Sequence, residues 1–162
     1  MIKYIYINIW LLNVFMKVVI NESKNRFWLS PLALKMICED KNIDAFFYKK
    51  EFKADNKFAY KMTEEDFNNN DPDFIYTIYN KDFGNIVRLS NYRYKFSIRE
   101  ELEDMYEFKN RADTSLVKVV ELLGKRAGLY CNLKVIEIPD SAFDIRAYTD
   151  GRCKEHLLYE IK

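Results

Sequence analysis

The chain has 162 residues, which fits one domain, and its 49% hydrophobic and 16% aromatic content argues against disorder of the whole chain. Four glycines and three prolines are too few for a turn-dense β-sandwich or a low-complexity linker. Basic and acidic side chains nearly cancel, with a formal net charge of +1. General nucleic-acid binding is therefore not favoured, since it usually needs a clear basic excess.

Residues 1–15 are apolar but are interrupted by Lys3, Asn8 and Asn13. A membrane-spanning helix needs about 20 mostly apolar residues, and no small-residue cleavage site of a secretory signal follows this run. We therefore predict an N-terminal extension over residues 1–15 and a single globular domain over residues 16–162, with no membrane partner. Met16 would be the natural start of the domain.

The opening of the domain indicates a strand, a helix and a second strand. Residues 16–21 predict the first strand, and Ser30 followed by Pro31 is typical of a helix N-terminus. The apolar residues that follow predict a helix ending near residues 41–42. Residues 44–48 predict the next strand. If the two strands are parallel, we expect a right-handed crossover between them.

The middle of the chain predicts short elements. Residues 57–62 favour a short strand, and Thr63 begins an acidic helical turn. Residues 74–79 are β-branched or aromatic on both faces, which is typical of an internal strand covered on both sides. Residues 86–89 are predicted to pair back onto that strand.

The clearest helix begins at Asp113 and Thr114. Its apolar positions recur at helical period, on one face: Leu116, Val119, Val120, Leu123 and Ala127. Gly124 and Gly128 both suit the helix end, and the sequence favours Gly128.

Two further predictions complete the fold. Residues 133–139 predict a strand, with Val135 and Ile138 as core candidates. Asp150-Gly151 between two β-like runs predicts a terminal hairpin. The sequence thus predicts an α/β or α+β fold, a single mixed domain in which two or three helices pack on a central β-sheet.

Two regions carry the candidate ligand-binding residues. After the first strand, Asn21, Lys24 and Arg26 lie before a helix N-terminus, where an α/β fold often binds an anion. The second region is residues 88–99, which contain four basic residues and no acidic one: Arg88, Arg93, Lys95 and Arg99. As a strand it would place Tyr92, Tyr94 and Phe96 on one face, which suits base stacking. The alternative is a half-buried strand with a solvated basic face.

Other chemistry is weakly indicated. Asp71 and Asp73 flank a proline and would suit a metal or acid–base pair, although turns favour Asp for backbone reasons alone. The cysteines are odd in number and widely spaced, and the sequence contains one histidine: Cys38, Cys131, Cys153 and His156. This pattern predicts no metal site and no cofactor, and favours buried or incidental thiols in a reducing cytoplasm.

Three pieces of sequence resemble, in order and spacing, a family of small conserved phage and prophage proteins. They are KVVIN with FWLS (residues 17–21 and 27–30), LVKVVELLG (116–124), and LKVIEIPD with a later Asp-Gly (133–140 and 150–151). The resemblance covers both ends of residues 16–156 and leaves residues 43–110 uncovered. It implies a viral or prophage gene expressed in a host cytoplasm, without implying a reaction, and supports Met16 as the ancestral start.

We therefore expect a non-enzymatic phage-type accessory protein that binds a host protein or a small anionic ligand, with interference in host defence as a role suggested by that context. One alternative is a small enzyme acting on a nucleotide or phosphate ester through Asp71 or Asp73 with Arg88 or Arg93. Another is a nucleic-acid-binding module that uses residues 88–99. Nucleic acid is the less favoured partner because the net charge is close to zero.

Overall fold

The computed structural model describes residues 15–51, 57–69, 71, 73–89, 102, 110–149 and 154–161. Helices and strands are mixed along the chain, which confirms the predicted class. The elements are, in order, β1 (Phe15–Asn21), α1 (Pro31–Asp40), β2 (Phe46–Glu51), β3 (Phe58–Lys61), α2 (Glu64–Asn68), β4 (Phe74–Tyr79), β5 (Ile86–Arg88), α3 (Thr114–Leu123) with a 3-10 turn at Gly124–Ala127, β6 (Leu133–Pro139), β7 (Ala142–Thr149) and β8 (Glu155–Ile161). No helix of the described part is long and apolar enough to cross a membrane.

The domain start predicted at Met16 stays a prediction. Residues 1–14 lie outside the described residues, and β1 begins at Phe15.

The main hydrophobic core lies between α1, α3 and the two-stranded sheet of β1 and β6. These strands pair antiparallel, with Val19 opposite Val135. The predicted apolar face of α3 is buried: Leu116, Val119, Val120 and Ala127 are at most 3% exposed, and Leu123 packs at the edge. In β6, Ile138 is buried and Val135 half-buried. Burial of β-branched and leucine side chains from both layers is what stabilises this half of the molecule.

The ends of α1 and α3 follow their local sequence signals. Ser30 caps α1, accepting a hydrogen bond from Ala33 N, and Asp113 caps α3, accepting from Leu116 N. At the other end of α3, the preference for Gly128 was wrong. Gly124 ends the α-helix with φ of 55°, a conformation that favours glycine, and one 3-10 turn follows.

The second sheet has four antiparallel strands in the order β4-β2-β3-β5. Three sequence predictions are corrected here. β1 and β2 belong to different sheets, so they form no parallel β-α-β unit. Among the described strands β4 lies at an edge of its sheet, with Ile75 43% exposed, rather than inside it. β5 pairs with β3 and not with β4.

The path after β4 explains the last correction. The Tyr48 hydroxyl accepts a hydrogen bond from Phe83 N at 2.8 Å and lies 3.0 Å from Gly84 O. Tyr48 thereby holds the turn after β4 over one face of the sheet, and the chain reaches β3 instead of folding straight back. A hydrophobic run favours formation of a strand, but contacts with residues distant in the sequence determine which strand it pairs with.

The terminal hairpin is confirmed as the antiparallel pair β7 and β8, whose turn residues 150–153 lie outside the described residues. The described strands thus form three separately hydrogen-bonded sheets: the pair of β1 and β6, the four-stranded sheet, and the hairpin of β7 and β8. The helices therefore pack between sheets rather than on one continuous central sheet.

Candidate functional site

Asn21, the first predicted ligand residue, lies at the end of β1 and is fully buried. Its Oδ1 accepts hydrogen bonds from the backbone N–H (3.0 Å) and hydroxyl (2.7 Å) of Ser23. Its Nδ2 donates to the carbonyl of Asn25 at 2.5 Å. Both ends of the amide are thus used within the β1–α1 loop (residues 22–30), so Asn21 shapes the loop instead of facing a ligand.

The β1–α1 loop is held against a second segment, residues 126–132. Ser30 Oγ donates to Arg126 O at 2.7 Å, and Leu129 N donates to Trp28 O at 2.9 Å. Leu29 and Gly128 form an isolated antiparallel bridge. A side chain at Gly128 would begin 2.2 Å from the Cys131 carbonyl oxygen, so only glycine permits this close approach.

A buried ion pair lies beneath the loop. Arg111 donates from Nη1 and Nη2 to the two carboxylate oxygens of Glu155, both at 3.1 Å. Glu155 also accepts a hydrogen bond from Asn21 N at 2.8 Å. The guanidinium carbon of Arg111 lies 3.2 Å from the centre of the Phe27 ring. This cluster therefore joins β1, the loop, the start of α3 and β8 in one place.

Sequence reasoning missed Arg111 and Glu155 as members of this cluster. Arg111 precedes the α3 cap and Glu155 follows the hairpin turn, so the two are 44 residues apart. No local spacing connects them. Nothing in a single sequence would have found the pair.

Lys24 and Arg26 belong to the same loop but are not part of the buried cluster of Asn21, Arg111 and Glu155. Both are exposed, and neither forms an ion pair with another side chain in the described part of the chain. The acidic residue of the same loop, Glu22, is paired with Lys134 at 3.0 Å. Lys24 and Arg26 consequently leave the loop with two cations available to a partner.

Two large aromatic side chains are exposed on the adjacent backbone segments. Trp28 in the loop is 48% exposed, and Tyr130 in the facing segment is 49% exposed. Asn25, between the two cations, donates a side-chain hydrogen bond to the carbonyl of Tyr130. We call the exposed side chains of Lys24, Arg26, Trp28 and Tyr130 the loop surface.

The second predicted region is described only at its first residue. Arg88 is exposed at the end of β5, opposite Phe58 of β3. Arg93, Lys95 and Arg99 lie outside the described residues. The described structure thus places Asn21, Lys24 and Arg26 on one loop and Arg88 in a different sheet.

Asp71 and Asp73 form a turn before β4. Asp71 Oδ1 accepts a hydrogen bond from Asp73 N at 2.9 Å, and the Asp71 carbonyl accepts from the Tyr76 and Tyr130 hydroxyls at 3.2 and 3.3 Å. Burial, reinforced by the two aspartates, raises the pKa of the Tyr130 hydroxyl. This arrangement favours the backbone role of the aspartates.

The enzyme interpretation places an aspartate of that turn near Arg88 or Arg93, and Arg93 lies outside the described residues, so only the distance to Arg88 can be considered. β4 and β5 are opposite edges of the four-stranded sheet, which at three strand spacings is about 14 Å. Among the described residues, no group of three or more His, Cys, Asp or Glu side chains is placed to hold a metal ion.

The thiols are embedded in structure. Cys38 is buried in the main core, and Cys131 lies 3.1 Å from the Trp28 carbonyl oxygen. Burial raises the pKa of the Cys131 thiol, which keeps it protonated and a poor nucleophile at neutral pH. Cys153 lies outside the described residues.

Comparisons with protein-family models, with curated proteins and with solved structures gave no match. The function is therefore argued from the geometry of this chain.

Proposed function

We propose that the chain is a non-enzymatic binding protein that uses the loop surface to engage an acidic region of another protein. In the phage context implied by the sequence resemblance, that protein would belong to the host cytoplasm. The observation that carries the proposal is that Lys24 and Arg26 are exposed, and form no ion pair with the described part of the chain, on a loop whose base is held by the buried Asn21. Interference with host defence is a role that this context suggests.

The composition of the loop surface supports a macromolecular partner. Trp, Tyr and Arg are the residue types that dominate binding energy at protein interfaces. Trp28 and Tyr130 are each about half exposed, so they have surface left to bury on binding. The two cations would steer an acidic partner and orient it.

The base of the loop supports binding in a second way. Asn21 fixes the backbone at Ser23 and Asn25, and Ser30 ties the loop to Arg126. A loop already held in one conformation loses less entropy when it binds. Asn21 is therefore a positioning residue in this proposal, although the sequence suggested direct ligand contact.

Charge reversal tests the proposal. We expect Lys24→Glu with Arg26→Glu to weaken binding of a captured host protein by about tenfold or more, because attraction becomes repulsion. The matched control is Lys57→Glu with Lys81→Glu, which changes the net charge equally at exposed positions just before β3 and just after β4. Capture from host extract would identify the partner, and calorimetry at several salt concentrations would measure its affinity.

The outcomes separate clearly. The proposal is supported if the host protein no longer binds the Lys24→Glu, Arg26→Glu variant, still binds the Lys57→Glu, Lys81→Glu control, and binds the unmodified protein more weakly as the salt concentration rises. A partner that binds the loop variant as tightly as the unmodified protein overturns it. So does capture of no host protein by the unmodified chain.

A second candidate, binding of single-stranded nucleic acid, is favoured by one face of the four-stranded sheet. Phe58 and Tyr60 lie on the same face of β3, with the buried Ala59 between them on the other face, and are 42% and 46% exposed. They lie opposite Arg88 and Ile86 of β5, and Ile86 is 53% exposed. Residues two apart on a strand are about 7 Å apart, a spacing that lets neighbouring bases each stack on one ring, with a cation at the backbone.

Fluorescence anisotropy with labelled oligouridylate and oligothymidylate tests this candidate. We expect Phe58→Ala with Tyr60→Ala to weaken binding by at least about tenfold, since each stacked base contributes about 1–3 kcal/mol. Ile75→Ala, at the far edge of the same sheet, is the matched control. Binding that is absent, or equal in all three proteins, would count against the stacking role.

A further inference from the structure

A pocket of about 210 Å³ lies between α1, β2, the end of β3 and α2. Its floor is apolar and is formed by the side chains of Cys38, Ile43, Ala45, Phe47, Met62 and Phe67. Several of these also belong to the main hydrophobic core. A dry apolar cavity of about 150 Å³ is known to hold benzene. The pocket is thus large enough for one ring with a small substituent.

Two lysines stand at the walls of the pocket. Lys35 Nζ lies 4.8 Å from the centre of the Phe67 ring, and Lys61 Nζ lies 5.4 Å from the centre of the Phe46 ring. Both rings line the same pocket. Cation–π contact of this kind holds an ammonium group beside the apolar floor.

The lysines are paired, but with exposed acids. Lys35 contacts Glu64 at 2.6 Å, and the Glu64 side chain is 81% exposed. Lys61 contacts Asp82 at 2.6 Å, and the Asp82 side chain is 43% exposed. Exposed ion pairs contribute only about 0–1 kcal/mol. An incoming anion can replace Glu64 at Lys35 at small cost, and the second carboxylate there, Glu39, is 3.9 Å from Lys35 Nζ and 62% exposed. Asp82 is held more firmly, since its Oδ1 also accepts hydrogen bonds from Gly84 N at 2.8 Å and from the Tyr48 hydroxyl at 3.1 Å.

We propose that this pocket binds a small carboxylate with an aromatic or branched apolar body. The apolar part would fill the space over Ala45, Met62 and Phe67, and the carboxylate would take the place of Glu64 at Lys35. This combination of an apolar floor and a few polar groups is what small-molecule sites generally show. The site is independent of the loop surface and stands or falls separately from it.

Benzoate and its neutral counterpart benzamide are the probes. The observable is the methyl resonance of Met62, which lines the pocket, in protein carrying ¹³C-labelled methionine methyl groups. We expect benzoate to shift this resonance at millimolar concentration and to bind about three- to tenfold more tightly than benzamide. The methyl of Met16, on β1 and outside the pocket, is the internal reference.

Three variants decide the assignment. Ala45→Leu fills the pocket and should abolish the Met62 shift. Lys35→Gln should remove the preference for benzoate over benzamide. Glu64→Gln, at an exposed position, should strengthen benzoate binding about twofold or more because it frees Lys35 of a competitor.

The proposal is overturned if benzoate leaves Met62 unchanged in the unmodified protein. It is also overturned if Ala45→Leu binds as well as the unmodified protein. Should Ala45→Leu fail to fold, Glu64→Gln still decides, since weakened or unchanged benzoate binding in that variant contradicts the role of Lys35.

Discussion

Arg111 and Glu155 form a two-pronged ion pair with side chains only 4% and 11% exposed. The pair connects a residue two positions before the α3 cap to the first residue of β8. Because the same carboxylate accepts a hydrogen bond from Asn21 N, the end of β1 is fixed to both. The base of the loop surface thus depends on a contact between distant parts of the chain.

Removing one member of this pair should destabilise the protein strongly. We expect Arg111→Met to lower the free energy of unfolding by about 3–5 kcal/mol, because it leaves the Glu155 carboxylate buried without its counter-charge. The stacking of the guanidinium on Phe27 is lost as well. Urea unfolding followed by circular dichroism measures the change.

The double variant Arg111→Met with Glu155→Leu is the control. Replacing both charges with apolar side chains of similar size avoids the unpaired buried charge, so the double variant should be more stable than Arg111→Met. A double variant as unstable as the single one would show that the packing on Phe27 and the hydrogen bond from Asn21 N, and not the ion pair, are the main contributions.

Gly128 should tolerate no side chain. Its φ of −89° suits any residue, so the cost of Gly128→Ala arises from the 2.2 Å approach of the new Cβ to the Cys131 carbonyl oxygen. We expect a loss of about 3 kcal/mol, at the upper end for overpacking, since backbone cannot move aside easily. Urea titration measures this loss in the free energy of unfolding, and thermal unfolding gives the matching change in Tm.

Gly84→Ala is the matched comparison, because Gly84 has open space but a φ of +78°. The strain of a left-handed residue predicts a loss of about 1–2 kcal/mol. A loss for Gly128→Ala no greater than that for Gly84→Ala would contradict the close-approach explanation.

The caps and helices were predictable because their signals are local. Ser30 before Pro31, Thr63 before an acidic turn and Asp113 before an apolar period each predicted a helix start, and each caps a helix in the structure. The hairpin of β7 and β8 followed from Asp-Gly between two β-like runs. In each case a few consecutive residues fix the conformation.

The strand partners were not predictable, because strand pairing depends on residues far apart in the sequence and not on local signals. An alternating or apolar run indicates a strand but does not name its neighbour. The position of β5 depends on Tyr48 holding the turn at Phe83, a contact over 35 residues. Asn21 was mistaken for a ligand residue because sequence cannot tell a polar side chain that faces solvent from one that closes its own loop.

Ser30 should contribute more to stability than an ordinary helix cap. Its buried hydroxyl accepts from Ala33 N at 3.1 Å and donates to Arg126 O at 2.7 Å. Ser30→Ala therefore removes a cap and leaves the part-buried Arg126 carbonyl without this donor, which together predict a loss of about 2 kcal/mol. Thr63→Ala, at the exposed cap of α2, should cost about 1 kcal/mol or less in the same urea titration. Equal losses would show that the bond to Arg126 contributes nothing.

Asp113 should make stability depend on acid pH. Burial raises its pKa, but the hydrogen bonds from Lys41 Nζ and Leu116 N outweigh burial and lower the pKa below its ordinary value of 3.8. The unfolded chain therefore takes up this proton at a higher pH than the folded chain. The resulting stabilisation is complete above the ordinary value and is lost as the pH falls through the lower, folded value.

Asp113→Asn isolates this effect, because asparagine caps helices about as well as aspartate but carries no charge for Lys41, whose Nζ lies 2.6 Å away. At pH 6 we expect the variant to be less stable than the unmodified protein by about 1 kcal/mol. The difference should shrink as the pH falls below 3.8, where other depressed carboxyls such as Asp66 affect both proteins alike. Urea titrations at half-unit pH intervals measure it. A stability difference that stays constant with pH would show that Asp113 acts only as a cap and that its pair with Lys41 adds nothing.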